Sequence, residues 1–144
     1  MQSDGPGPMA GCAVPRGSVP PPVAVMLGGM AGATCRWAVL HYGQTSGSWP
    51  WPTLGVNVVG CAVLGVVATR LPFAAARRAV LWRDGVGIGF CGGLTTFSTF
   101  SVELAQMLRD DRWTLVLGYL GASLVTGWLG YELARRLTHR SVPV

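Results

Sequence analysis

Residues 92 to 101 read Gly-Gly-Leu-Thr-Thr-Phe-Ser-Thr-Phe-Ser, with five hydroxyl side chains in ten positions of an otherwise apolar stretch. Thr96-Phe97-Ser98 repeats at once as Thr99-Phe100-Ser101. A period of three is close to one helical turn, which predicts Phe97 over Phe100, Thr96 over Thr99 and Ser98 over Ser101. The result is an aromatic rail beside two hydroxyl rails. These groups supply hydrogen-bond donors and ring edges, but no fixed charge and no activated nucleophile. They suit the passage of an ion better than the breaking of a bond. One or two hydroxyls would be explained by bonds back to their own helix; five beside paired phenylalanines are not. Gly92-Gly93 predicts a helix break, which at membrane depth is tolerated only where it is buried or lines a cavity.

Other polar residues fall inside apolar blocks. Asn57 lies in Gly55-Val56-Asn57-Val58-Val59-Gly60, Arg36 in Gly32-Ala33-Thr34-Cys35-Arg36-Trp37, and Tyr119 and Ser123 one turn apart in the last block. Arg36 taken alone can snorkel to a nearby interface. The acids Glu103 and Glu132 lie toward block ends, and none lies at a block's middle. Proton- or cation-coupled carriers use an intramembrane carboxylate, so such a carrier is disfavoured. An asparagine, an arginine and a set of hydroxyls suit an anion. His41 and His139 have no acid or nucleophile arranged around them, so the chain reads as a non-enzyme. The four cysteines, at 12, 35, 61 and 91, form no C-x-x-C pair; they read as small packing residues, without a zinc or redox motif.

The elements that must hold these residues are transmembrane helices. Of 144 residues half are hydrophobic and only 12% charged. The apolar residues fall in four blocks, about 23–42, 53–71, 85–108 and 113–131. A helix needs about 20 residues to cross a bilayer core. Trp49, Trp51, Trp82 and Trp113 stand at block edges, as in an interfacial belt. The expectation is an all-α membrane protein of four transmembrane helices over 23–137, the third broken near Gly92–Thr95. A buried soluble bundle would need polar faces that the second and fourth blocks lack. Glycines in every span predict close helix packing. Residues 1–22 carry six of the ten prolines and read as a flexible tail, with 138–144 a short C-terminal tail.

These residues resemble a known family. Gly28 to Arg36, the Val56-Asn57 pair and above all Gly92 to Ser101 look like the CrcB (Fluc) fluoride channels, over about residues 24 to 136. The resemblance implies a passive, fluoride-selective channel of the bacterial plasma membrane, built as an antiparallel, dual-topology dimer with two pores. It implies pore roles for Phe97 and Phe100, for Asn57, and for a hydroxyl track of Ser98, Thr99, Tyr119 and Ser123. It places Arg36 near the aqueous mouth. It implies a structural sodium ion on the backbone carbonyls of Gly92 and Thr95. The competing class is a small four-span proton-coupled exporter of toxic compounds, disfavoured because the first span has no glutamate.

Charge placement bears on the partner. With four spans, both termini share one side with the connector between the second and third. That side carries Arg16, Arg70, Arg77, Arg78, Arg83, Arg135, Arg136 and Arg140, against Arg109 and Arg112 beside Asp110 and Asp111 on the other. The positive-inside rule favours cytoplasmic termini. An antiparallel pair would then be either a homodimer that overrides the rule or a heterodimer with an oppositely inserted related chain.

Overall fold

A computed structural model describes residues 20–43, 47–70 and 81–140. Among these, every regular element is helical. Helix α1 is Pro21–Tyr42 and α2 is Trp51–Arg70. The third span is compound. A π-helical stretch, Leu81–Phe90, leads into one α-helical turn, α3, Cys91–Leu94, and after two extended residues α4 runs Phe97–Arg109. Helix α5 is Trp113–Arg140. Four segments are long and apolar enough to span a bilayer, Pro21–Tyr42, Trp51–Thr69, Leu81–Arg109 and Trp113–His139, so the four expected blocks are four helical spans.

Boundaries differ at the ends. Prolines 21 and 22, assigned to the tail, open α1, where the absent N–H costs nothing. Residues 1–19 and 141–144 lie outside the described residues, and with them Arg16 and most of both expected tails; Arg77 and Arg78 lie outside as well. Helix α5 continues past Tyr131 because its polar end is internally paired. Glu132 accepts from Arg135 at 2.8 Å and also pairs with Arg136. These partners stand three and four residues on, the spacings at which helical side chains meet.

The glycines act by letting backbones meet. A Cβ at Gly28, Gly32, Gly89 or Gly93 would strike backbone of the facing helix, so α1 lies directly on the third span. Small residues permit that approach where lipid offers no hydrophobic drive. Gly65 brings α2 equally close to α5, where a Cβ would strike the Tyr131 backbone, and a Cβ on Gly130 would lie 3.3 Å from Val58. At the foot of α4 the chain reverses through Asp111 at φ 54°. This left-handed residue is of the kind that ends helices. Arg112 N–H closes the reversal by donating to Met107 O at 2.9 Å. The turn lays α5 along α4 and builds the core of Leu54, Phe100, Met107, Val116 and Tyr119. Much apolar surface stays outside. Met26, Leu27 and Met30 on α1, and Leu117, Leu124 and Trp128 on α5, are exposed, as lipid or a second chain would require.

Candidate functional site

The third span leaves the helical conformation at Thr95 (φ −75°, ψ 154°) and Thr96 (φ −144°, ψ 117°). The break therefore follows the double glycine and does not fall on it. Gly93 remains helical, pressed against Gly29 and Ala33 of α1 where no Cβ fits. Side-chain bonds that compete with the helix make the break instead. Thr96 caps α4, its Oγ1 accepting from Thr99 N–H at 3.1 Å and donating to Thr99 Oγ1 at 3.0 Å. Threonine is among the residues suited to that capping position. Asn57 clamps the same residue from α2. Its Nδ2 donates to Thr96 O at 3.2 Å and its Oδ1 accepts from Thr96 N–H at 2.8 Å.

These bonds release two carbonyls. In a continuous helix Thr96 N–H would reach the Gly92 carbonyl and Thr99 N–H the Thr95 carbonyl. Both donors are diverted, to Asn57 and to the Thr96 hydroxyl. The Thr95 carbonyl takes Nη1 of Arg36 at 3.0 Å. Arg36 thus reaches across from α1 to the break and does not snorkel away from it.

The five hydroxyls divide into two kinds. Thr95 donates to Cys91 O at 2.9 Å and Ser101 to Phe97 O at 2.8 Å, both bonds back along the chain. Thr96, Ser98 and Thr99 instead bond to one another, Ser98 Oγ lying 3.2 Å from Thr96 Oγ1. The expected pairing of Thr96 with Thr99 is present. Ser98 turns to Thr96, and Ser101 to its own helix, so those two serines do not form a second rail. Phe97 and Phe100 stand with ring centroids 6.1 Å apart and planes tilted by 38°. Their surroundings differ sharply. Phe97 is 80% exposed, whereas Phe100 is 9% exposed and packs on the Tyr119 ring at 5.0 Å.

A groove of about 510 Å³ runs past this cluster, lined among others by Asn57, Gly92, Thr96, Phe97, Phe100 and Ser123. Ser123 Oγ is buried there without a partner among the described residues, a donor still to be used. On the other side a cavity of about 530 Å³ is lined by Thr53, Thr99, Glu103 and Gln106. Thr96 borders one space and Thr99 the other, so their linked hydroxyls stand between the two. Tyr119, fully buried, donates to Glu103 Oε2 at 2.8 Å, and Thr53 donates to Glu103 Oε1 at 2.6 Å. The Tyr119 proton is therefore committed to a carboxylate in this arrangement. Glu103 and Thr53 are site residues that sequence reasoning passed over. The signal was Glu103 at i+7 from Thr96 and i+4 from Thr99, on one helical face.

Taken together, fold and site define a four-span membrane protein whose third span is broken by a polar, charge-poor cluster between two open spaces. Over residues 23–134 the chain matches the family described as CrcB-like protein, Camphor Resistance (CrcB), and it belongs to that family. It is 44% identical over 123 residues to the fluoride-specific ion channel FluC 1 of Mycolicibacterium paratuberculosis, covering 81% of this chain and 89% of that protein. It is 40% identical over 128 residues to FluC 1 of Streptomyces coelicolor, covering 85% and 82% respectively. With the fluoride-specific ion channel FluC of Variovorax paradoxus it shares 36% identity over 121 residues, covering 81% and 96%.

Proposed function

We propose that this chain is a fluoride-selective passive channel of the bacterial plasma membrane that lets fluoride leave the cell. The observation that carries the reading is the broken third span, where Thr96 of the linked hydroxyls, a clamped asparagine and two phenylalanines border one groove. Relatives named as fluoride-specific channels support the choice of anion. Fluoride is small and strongly hydrated, so a pore must replace its water with donors. The unpartnered Ser123 hydroxyl supplies one, and the second N–H of the Asn57 amide another. Ring edges carry partial positive charge and attract an anion without trapping it as a lysine would. A membrane potential of 100 mV drives each charge by about 2.3 kcal/mol. The test is fluoride efflux from liposomes holding the purified protein, read with a fluoride electrode. Efflux of fluoride without chloride supports the reading; no efflux, or equal chloride efflux, defeats it.

The second part of the proposal is a structural sodium ion on the carbonyls of Gly92 and Thr95. Both carbonyls have lost their helical donors, and a carbonyl with a free lone pair suits a hard cation. Thr95 can serve the ion and Arg36 together through its two lone pairs. Bound there, the ion would satisfy carbonyls that the break leaves in a dry interior. Because main-chain oxygens do the binding, Thr95→Ser is expected to retain both fold and sodium. A high-resolution map with water at the site, or loss of function in Thr95→Ser, would count against it.

The third part is an antiparallel dimer, which would cover the groove and the exposed Phe97. Cysteine labelling of a residue added after Val144, with the native cysteines replaced by alanine, tests its composition. Label entering equally from both sides establishes dual insertion and a homodimer. Label from the cytoplasmic side alone, the direction of the eight-to-two arginine bias, points instead to the alternative, a second, related chain inserted the other way.

A further inference from the structure

The cavity on the far side of the linked hydroxyls lies at the end of the bundle where α1 ends and α5 begins, with Leu40, Thr99 and Arg112 on its wall. Three charged side chains line it, Glu103, Asp110 and Arg112. Two of them are acids, so without Arg112 the space beyond Thr99 would repel any anion that reached it. Glu103 has each oxygen occupied by a hydroxyl, from Tyr119 and from Thr53. Arg112 is half-buried, yet its guanidinium makes no ion pair or hydrogen bond among the described residues. Main-chain bonds fix the residue in place. Its N–H donates to Met107 O at 2.9 Å, and its carbonyl accepts from Leu115 N–H at 3.0 Å and Val116 N–H at 3.2 Å. A second donor is open in the same lining, because Trp49 Nε1 is buried without a partner among the described residues.

We propose that this cavity is the second mouth of the ion path and that Arg112 is the residue that admits the anion to it. The inference rests on the channel reading and adds the end at which fluoride meets or leaves the Thr96–Thr99 hydroxyls. Arginine suits the task because it stays charged at any pH the cell meets. Arg36 cannot serve this end, since it is bonded to the Thr95 carbonyl at the break. An unpaired charge on the wall of a cavity raises the local concentration of its counter-ion. Water and salt at an open mouth screen that charge, so it attracts the anion without holding it.

Fluoride efflux from liposomes is compared for the full-length protein and for Arg112→Gln, Arg112→Lys and Asp110→Asn. Each is measured at about 10 mM and about 1 M potassium gluconate, equal on both sides, between which the Debye length falls from about 30 Å to about 3 Å. A unit charge about 7 Å away in water changes the local concentration of a monovalent anion by about threefold. Arg112→Gln should therefore lower efflux about threefold or more at low salt, and by less than about 1.5-fold at high salt. Arg112→Lys should restore the native salt dependence, and Asp110→Asn should raise efflux at low salt alone. A merely structural role for Arg112 would lower efflux equally at both salt concentrations. Should Arg112→Gln fail to fold, Asp110→Asn decides, because the exposed Asp110 side chain bears on the same mouth. Native efflux from folded Arg112→Gln at low salt, an equal loss at both concentrations, or no gain in Asp110→Asn overturns the proposal. In those outcomes the unaltered protein still conducts, so the channel reading stands; an unaltered protein that passes no fluoride overturns both.

Discussion

Asn57→Asp is expected to lower fluoride efflux by roughly 100-fold while the protein still elutes as a folded membrane protein. Two effects point the same way. In the native site Oδ1 accepts from Thr96 N–H and Nδ2 donates to Thr96 O, so each half of the amide meets its complement. Aspartate keeps the acceptor half but sets a second oxygen against the Thr96 carbonyl, at the 3.2 Å separation now spanned by a donor. A buried acceptor that loses its donor costs about 1–3 kcal/mol, and more when charged. The same carboxylate removes the spare N–H and presents a negative charge to an anion. About 2.8 kcal/mol added to the passage barrier is a factor of roughly one hundred. Efflux from Asn57→Asp within threefold of the unaltered protein would remove Asn57 from the path, whatever its bond to Thr96 does for the fold.

That pair of hydrogen bonds also marks how far the sequence could be read. Apolar block length is a coarse, robust signal, because the bilayer fixes it, and all four blocks are helical spans. The position of the break was less accessible. Gly92-Gly93 satisfies every local criterion for a break, yet the packing of Gly93 on α1 holds it helical. The break is set instead by Asn57, 39 residues away in sequence. Tertiary partners of that kind leave no periodic trace. Glu103 was passed over because a carboxylate near a span end reads as solvated, whereas the turn at Asp111 folds α5 back and brings Tyr119 onto it.

Phe97→Ile is expected to cut fluoride efflux by roughly two- to tenfold with almost no cost to the fold of the single chain. Phe97 is 80% exposed, so its ring holds no core together. Exposed substitutions of this kind change stability by about 0.5 kcal/mol or less. Isoleucine preserves apolar bulk but has no ring edge. A polarised ring edge is worth about 0.5–1.5 kcal/mol in a well-placed contact with another ring, taken here as the scale for an anion, and about 1.4 kcal/mol is one decade. Phe100→Ile is the necessary contrast. Its ring is 9% exposed and packs on Tyr119 at 5.0 Å, so the change disturbs the core as well as the path. Thermal unfolding should therefore shift for Phe100→Ile and hold for Phe97→Ile, while efflux falls in both. Elution at the size of the unaltered assembly shows that Phe97→Ile has not lost flux by failing to pair. If Phe97→Ile assembles normally and conducts at the native rate, the exposed ring serves packing between chains, and the aromatic half of the proposed path is wrong.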